Sequence, residues 1–289
     1  MATVFQDSMG PLLLSSFLSI MVYGVSLHQV YKYFWLYPKD RLFLKVYVGV
    51  IIVMDTLTSA FLMHICYYYL VSEGDETQVS DAPVWSLRVC PPTGGMVIVM
   101  IQAFYARRVY LFNPNCAAVV ALTGVIIGGG FGVLLATAVK SFKLSDLGRW
   151  SDATCLDAAF FGTTLLADLV LTTTFVVLLR RNWSPFRSTN DVLRTLISYA
   201  VISTLLVTIG TIPALVLAIC LPEKLYYVAV AIPLTKLYPS AVMVFLNCRK
   251  SLTNEILRDN MESIETCGAD LTGVLQISVR PVHHGVQQP

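Results

Sequence analysis

Three ionisable residues stand at similar depth inside long apolar runs: Asp55 in Val46 to Leu70, Asp168 in Ala158 to Leu179, and Lys236 in Leu225 to Leu246. A charge at the centre of a membrane helix costs at least about 2.5–3.5 kcal/mol on insertion scales, so each carries a functional hypothesis. Asp55 lies nine residues into its run, Asp168 ten and Lys236 eleven. Nine helical residues rise roughly 13.5 Å, close to half of a hydrocarbon core about 30 Å thick. All three are therefore expected near the midplane, where one lysine and two aspartates could share charge. A structural ion pair, a proton- or ion-coupled site and a polar anchor for a ligand all fit that placement. A desolvated lysine can also attack an aldehyde, but the third apolar run offers no carboxylate as counter-ion.

The seven cysteines include no Cys-x-x-Cys pair, which argues against a zinc or thioredoxin-like site. Cys90 and Cys155 are expected to face the same oxidising compartment, and a bridge between them or two free thiols are both open. Cys248 follows the last apolar run beside Arg249 and Lys250, a position suited to palmitoylation. His28 and His64 have no second histidine at metal-ligand spacing, so no metal site is expected. Gly124, Gly128 and Gly132 recur every four residues in the fourth run, a stripe of small residues that lets another helix approach closely. Packing within the bundle and a homodimer face are its two readings. The chain has no phosphate-binding loop, no His-Glu-x-x-His motif and no Gly-x-Ser-x-Gly elbow, so neither an enzyme nor a cofactor is expected.

The elements that must position these groups follow from hydropathy. Of 289 residues 56% are hydrophobic and 13% charged, and the mean hydropathy is +0.68. About 25% charged is usual for a globular protein, so a soluble surface is excluded and the solvent must be mostly lipid. A net charge of +2 gives no basic face for nucleic acid. Seven runs are long enough to span: Gly10 to Tyr31, Val46 to Leu70, Val84 to Ala106, Cys116 to Val139, Ala158 to Leu179, Thr195 to Leu221 and Leu225 to Leu246. The 20 basic and 18 acidic residues avoid them, apart from Asp55, Arg88, Asp168 and Lys236. Pro91 and Pro92 are expected to kink or interrupt the third run.

Lys and Arg are unevenly divided. Lys32, Lys39, Arg41, Lys45, Arg107, Arg108, Arg180, Arg181, Arg187, Arg194, Arg249, Lys250, Arg258 and Arg280 share one side, against Arg88, Lys140, Lys143, Arg149 and Lys224 on the other. Positive-inside bias puts the N-terminus outside and the C-terminus in the cytosol. Tyr67, Tyr68, Tyr69, Trp85, Tyr226 and Tyr227 would then form an outer aromatic belt. Asn182-Trp183-Ser184 falls on the cytosolic side, so no glycan is expected there. The organisation expected is a short outer segment over 1–9, a seven-helix bundle over 10–246, a cytosolic amphipathic helix over 247–266 and a disordered tail over 267–289. Leu252, Ile256, Leu257, Met261 and Ile264 carry the helical spacing of the third of these.

Several stretches recur in a known order: Tyr23-Gly24-Val25 with Gln29, Tyr31 and Tyr33; Asp40 and Lys45; Gln102-Ala103-Phe104-Tyr105-Ala106 with Arg108-Val109-Tyr110; Thr235-Lys236-Leu237-Tyr238; and Leu246-Asn247-Cys248-Arg249. In these the chain resembles a family of seven-helix membrane proteins of unknown function from mushroom-forming fungi, over roughly Gly10 to Leu252. It departs from that pattern at Cys90-Pro91-Pro92 and Pro239-Ser240-Ala241. The resemblance implies fold and topology and supplies no site. The expectation is an all-α membrane bundle, receptor-like or sensor-like, in the plasma membrane, with the lipid bilayer and an unknown small-molecule ligand as partners. The alternative is a small-solute or proton-coupled transporter. Some carriers pair two helix triplets around a linker, but the connections here differ, with Pro222 to Lys224 too short to mirror Val71 to Pro83.

Overall fold

A computed structural model of the chain describes residues 2–72, 83–143, 151–181, 189–222 and 225–249. Among them lie seven long helices and no strand: α1 (Ala2–Leu36), α2 (Leu42–Tyr67), α3 (Trp85–Phe112), α4 (Ala117–Lys143), α5 (Ser151–Arg181), α6 (Thr189–Cys220) and α7 (Tyr226–Arg249). A π-helical turn, Tyr68–Ser72, extends α2, and a 3-10 turn, Pro114–Cys116, leads into α4. Each helix from α1 to α6 packs on the next in sequence, and α3 also touches α5. α7 is bonded to α1, α2 and α5 and meets α3 through Phe104 and Phe245.

Burial runs opposite to that of a soluble protein. Large apolar side chains face outward, among them Val125 at 73% and Leu14 at 71% exposure, while Ser19, Thr123 and Thr208 are at most 3% exposed. Water would punish such a surface, whereas hydrocarbon accepts it, and the hydroxyls of Thr123 and Thr208 find carbonyls one turn back, on Val119 and Thr204. Among the described residues six segments are long and apolar enough to cross a bilayer: Gly10–Leu36, Leu42–Leu70, Trp85–Phe112, Pro114–Lys143, Thr154–Leu178 and Tyr226–Arg249. The chain is a multi-pass membrane protein. α6 has 32 residues and carries a shorter apolar stretch, Thr204–Cys220, among the residues whose side chains are described.

Residues 2–9 are helical and continue α1. Two expectations change. Pro91 and Pro92 do not interrupt α3, which runs unbroken for 28 residues. They stand in its second and third turns, where the missing amides would have met the carbonyls of Leu87 and Arg88, and the Thr93 hydroxyl adds bonds to the carbonyls of Val89 and Cys90. The glycine stripe does not pack within the bundle: Gly124, Gly128 and Gly132 are exposed, with no atom within 4 Å of the place a Cβ would take. The face of α4 that packs is Thr123, Ile127, Gly130, Leu134, Thr137 and Ser141, at alternating spacings of four and three. Apart from Asn247 to Arg249, which end α7, the amphipathic segment 247–266 and the tail 267–289 lie outside the described residues, as does Asn182.

Candidate functional site

Lys236 reaches from α7 to α2. Its ammonium donates to Asp55 Oδ1 at 2.7 Å, to the Asp55 carbonyl at 2.8 Å and to Ser59 Oγ at 2.8 Å. Three donors meet three acceptors, so the lysine is a saturated cation with no lone pair to offer an aldehyde. The Tyr23 ring lies 5.5 Å from Nζ, adding a cation–π contact from α1. Both charged side chains are buried, and Asp55 Oδ2 has no protein partner.

Asp168 does not share that lysine. Its Oδ2 accepts from the Tyr238 hydroxyl at 2.6 Å and its Oδ1 from Gln102 Nε2 at 2.9 Å, while the same amide nitrogen also bonds the Thr164 carbonyl at 3.1 Å. The sequence placed Asp55, Asp168 and Lys236 at one depth. The structure divides them into an ion pair on one side of α7 and a carboxylate held by neutral donors on the other. Gln102, Ser59 and Tyr238 were not legible as partners because they carry no charge.

Beside the ion pair, towards the end of the bundle that holds Trp85, lies a cavity of about 110 Å³ walled by α1, α2, α3, α4, α5 and α7. A space of roughly 10–15 Å³ on the same measure admits one water, so this one takes several waters or a small organic molecule. Its walls are mostly apolar, including Leu62, Ile98 and Phe160, and the glycines at 94 and 95 keep α3 low. Lys236 stands in one wall. Asp157 stands in another, its Oδ2 accepting from the Tyr227 hydroxyl at 2.9 Å. Sequence reading missed both: Asp157 lies one residue before the expected fifth run, and Tyr227 was assigned to an interfacial belt. In the structure the fifth span begins at Thr154, which takes Asp157 inside, and Tyr227 is 1% exposed. Trp85 and Tyr67 do face outward.

Cys90 and Cys155 are both free thiols. Cys90 lines the cavity, whereas Cys155 is exposed on α5, so the two point to different surroundings, and of the two open readings the structure has the free thiols. Cys248 is a half-buried free thiol in the last turn of α7. His64 Nδ1 is 2.9 Å from Ser86 Oγ, and among the described residues no cluster of ligating side chains could hold a metal.

The opposite end of the bundle is tied by a second polar group. Arg249 donates to Asp40 Oδ2 at 2.7 Å and lies over the Tyr37 ring at 4.5 Å, the Tyr33 hydroxyl donates to the same Oδ2, and Asn247 Nδ2 donates to the Gln29 carbonyl. α7 thus makes polar contacts at the cavity, at mid-depth and at its last turn. Arg108 covers Phe104 and Phe245.

Residues 164–251 match a family of unknown function, DUF6534. That segment holds Asp168, Lys236, Tyr238 and Arg249, and leaves their partners Asp55, Gln102 and Asp40 on helices before it. No curated protein and no solved structure matches the chain.

Proposed function

We propose that this protein is a non-enzymatic receptor or sensor of seven spans, N-terminus outside, in the plasma membrane, and that the cavity beside Lys236 takes a small, mainly apolar molecule. The observation that carries this reading is the double position of Lys236, which both lines the cavity and holds α7 to α2. A molecule entering there meets a helix whose far end is tied to α1 and to Asp40, so its arrival is linked to the cytosolic face by one rigid element. Cys248, in that last turn, is the proposed palmitoylation position, and the outward glycines of α4 are the face a second copy would use.

Thermal denaturation of the purified full chain with single-ring probes tests the cavity. Gly94 is suited to filling it, since an added Cβ would meet Thr235 at 3.6 Å and Thr58 at 3.7 Å, ordinary contacts. Stabilisation of the native chain by such a probe, lost in Gly94→Leu, is the expected result. A probe that shifts both proteins equally binds elsewhere, and the cavity reading then fails.

A second reading, proton-coupled transport, is favoured by Asp168, a buried carboxylate whose partners among the described residues are neutral. Uptake into vesicles driven by a proton gradient, abolished in Asp168→Asn, is what it requires.

A further inference from the structure

We infer that the molecule taken by this cavity is a cation, a lipophilic amine whose ammonium pairs with Asp157. The inference rests on the cavity reading above and goes beyond it by fixing the charge of the ligand. The argument is one of charge balance. Two acidic groups and one basic group border the space: Asp157 and Lys236 in the wall, and Asp55 behind Lys236. Lys236 and Asp55 cancel each other across 2.7 Å, with every ammonium proton used. Asp157 is left over. Its partner is the neutral Tyr227 hydroxyl, and among the described residues no lysine, arginine or histidine pairs with it. A carboxylate within apolar walls is poorly solvated, and an incoming ammonium supplies what the protein withholds.

The surroundings suit an amine in two further ways. Phe160, Phe161 and Tyr227 stand beside the carboxylate, and Phe161 meets the Tyr227 ring edge-on at 6.3 Å, so an ammonium there finds aromatic faces as well as an anion. The volume, about 110 Å³, is of the order of the apolar cavity, roughly 150 Å³, known to accept benzene. One small ring is therefore the most the space holds, with a short aminoalkyl arm reaching Asp157 in the wall. An anion would meet Asp157, and Lys236, the basic side chain among the described residues that line the cavity, is already occupied.

The test uses three probes of one shape on the purified full chain: 2-phenylethylamine, 2-phenylethanol and 3-phenylpropionate. Affinities come from thermal-shift titration at constant ionic strength. The amine should bind about tenfold tighter than the alcohol, the difference expected between a charge-assisted and a neutral hydrogen bond, and the carboxylate should bind weakest. Asp157→Asn should bring the amine down to the level of the alcohol while leaving the alcohol unchanged, which also shows that the variant is folded. Tyr227→Phe keeps the carboxylate and should keep the preference for the amine. An alcohol that binds as well as the amine, or a preference that survives in Asp157→Asn, overturns this inference and leaves the cavity reading standing. If none of the three binds, both fall.

Discussion

Lys236 and Tyr238 stand two residues apart on α7 and close two different carboxylates, Asp55 on α2 and Asp168 on α5. Two residues of helix turn through about 200°, so neighbours at this spacing face opposite sides. α7 is thereby clamped between two helices that do not follow it in sequence, and each clamp can be removed without touching the other.

Lys236→Met should lower stability by about 3–5 kcal/mol, because it strands a buried carboxylate. Adding Asp55→Asn should restore part of the loss, since the bond at 2.7 Å is to Asp55. Adding Asp168→Asn should restore nothing. Thermal midpoints of the three proteins in one detergent decide the matter, and recovery through Asp168 would mean that the pairing is wrong.

Tyr238→Phe removes one of two side-chain donors to Asp168 and should cost about 1–3 kcal/mol. Gln102→Leu removes the other. Since both act on one carboxylate, the double variant should depart from the sum of the singles by at least about 0.5 kcal/mol. Strict additivity in a double-mutant cycle would contradict the shared acceptor.

Glycines on opposite kinds of face should respond oppositely to alanine. At Gly95 an added Cβ overlaps Leu134 and approaches Phe160 Cζ at 3.2 Å, so Gly95→Ala should destabilise by about 1–3 kcal/mol. At Gly128 nothing lies within 4 Å, so Gly128→Ala should be neutral or gain up to about 1 kcal/mol from helix propensity. Denaturation of monodisperse protein compares the two, and equal effects would contradict the orientation of α3 or α4.

Cys90 and Cys155 should both carry the alkylating label when unreduced protein is denatured, labelled and digested, because both are free. A linked peptide pair in the mass spectrum would require α5 to turn Cys155 towards the cavity wall.

The spans and the charged members of the site were legible because lipid makes each Asp or Lys in an apolar run conspicuous. Asp55 and Lys236 are found that way. Periodicity gives a stripe without naming its neighbour, which is why Gly124, Gly128 and Gly132 fit an inward or an outward face equally well until α4 is oriented by Ile127 and Leu134. Asp157 was missed for a different reason. An apolar run is bounded where charge first appears, so a carboxylate one turn inside a span is mistaken for its edge. Gln102 and Tyr238 carry no such mark, and their role depends on which helices meet, which composition does not contain.

The dependence of α7 on helices made before it has a consequence for biosynthesis. Its lysine meets Asp55 on α2, and its tyrosine meets Asp168 on α5. Both aspartates leave the ribosome earlier than Lys236 itself. An isolated lysine at mid-depth resists entry into lipid by about 2.5–3.5 kcal/mol, and the acceptors that offset it exist only where α2 is already in place. α7 is therefore expected to enter the membrane by docking onto helices already in place, and a chain halted after α6 is left with Asp55 without its cation and Asp168 with the Gln102 amide but not the Tyr238 hydroxyl.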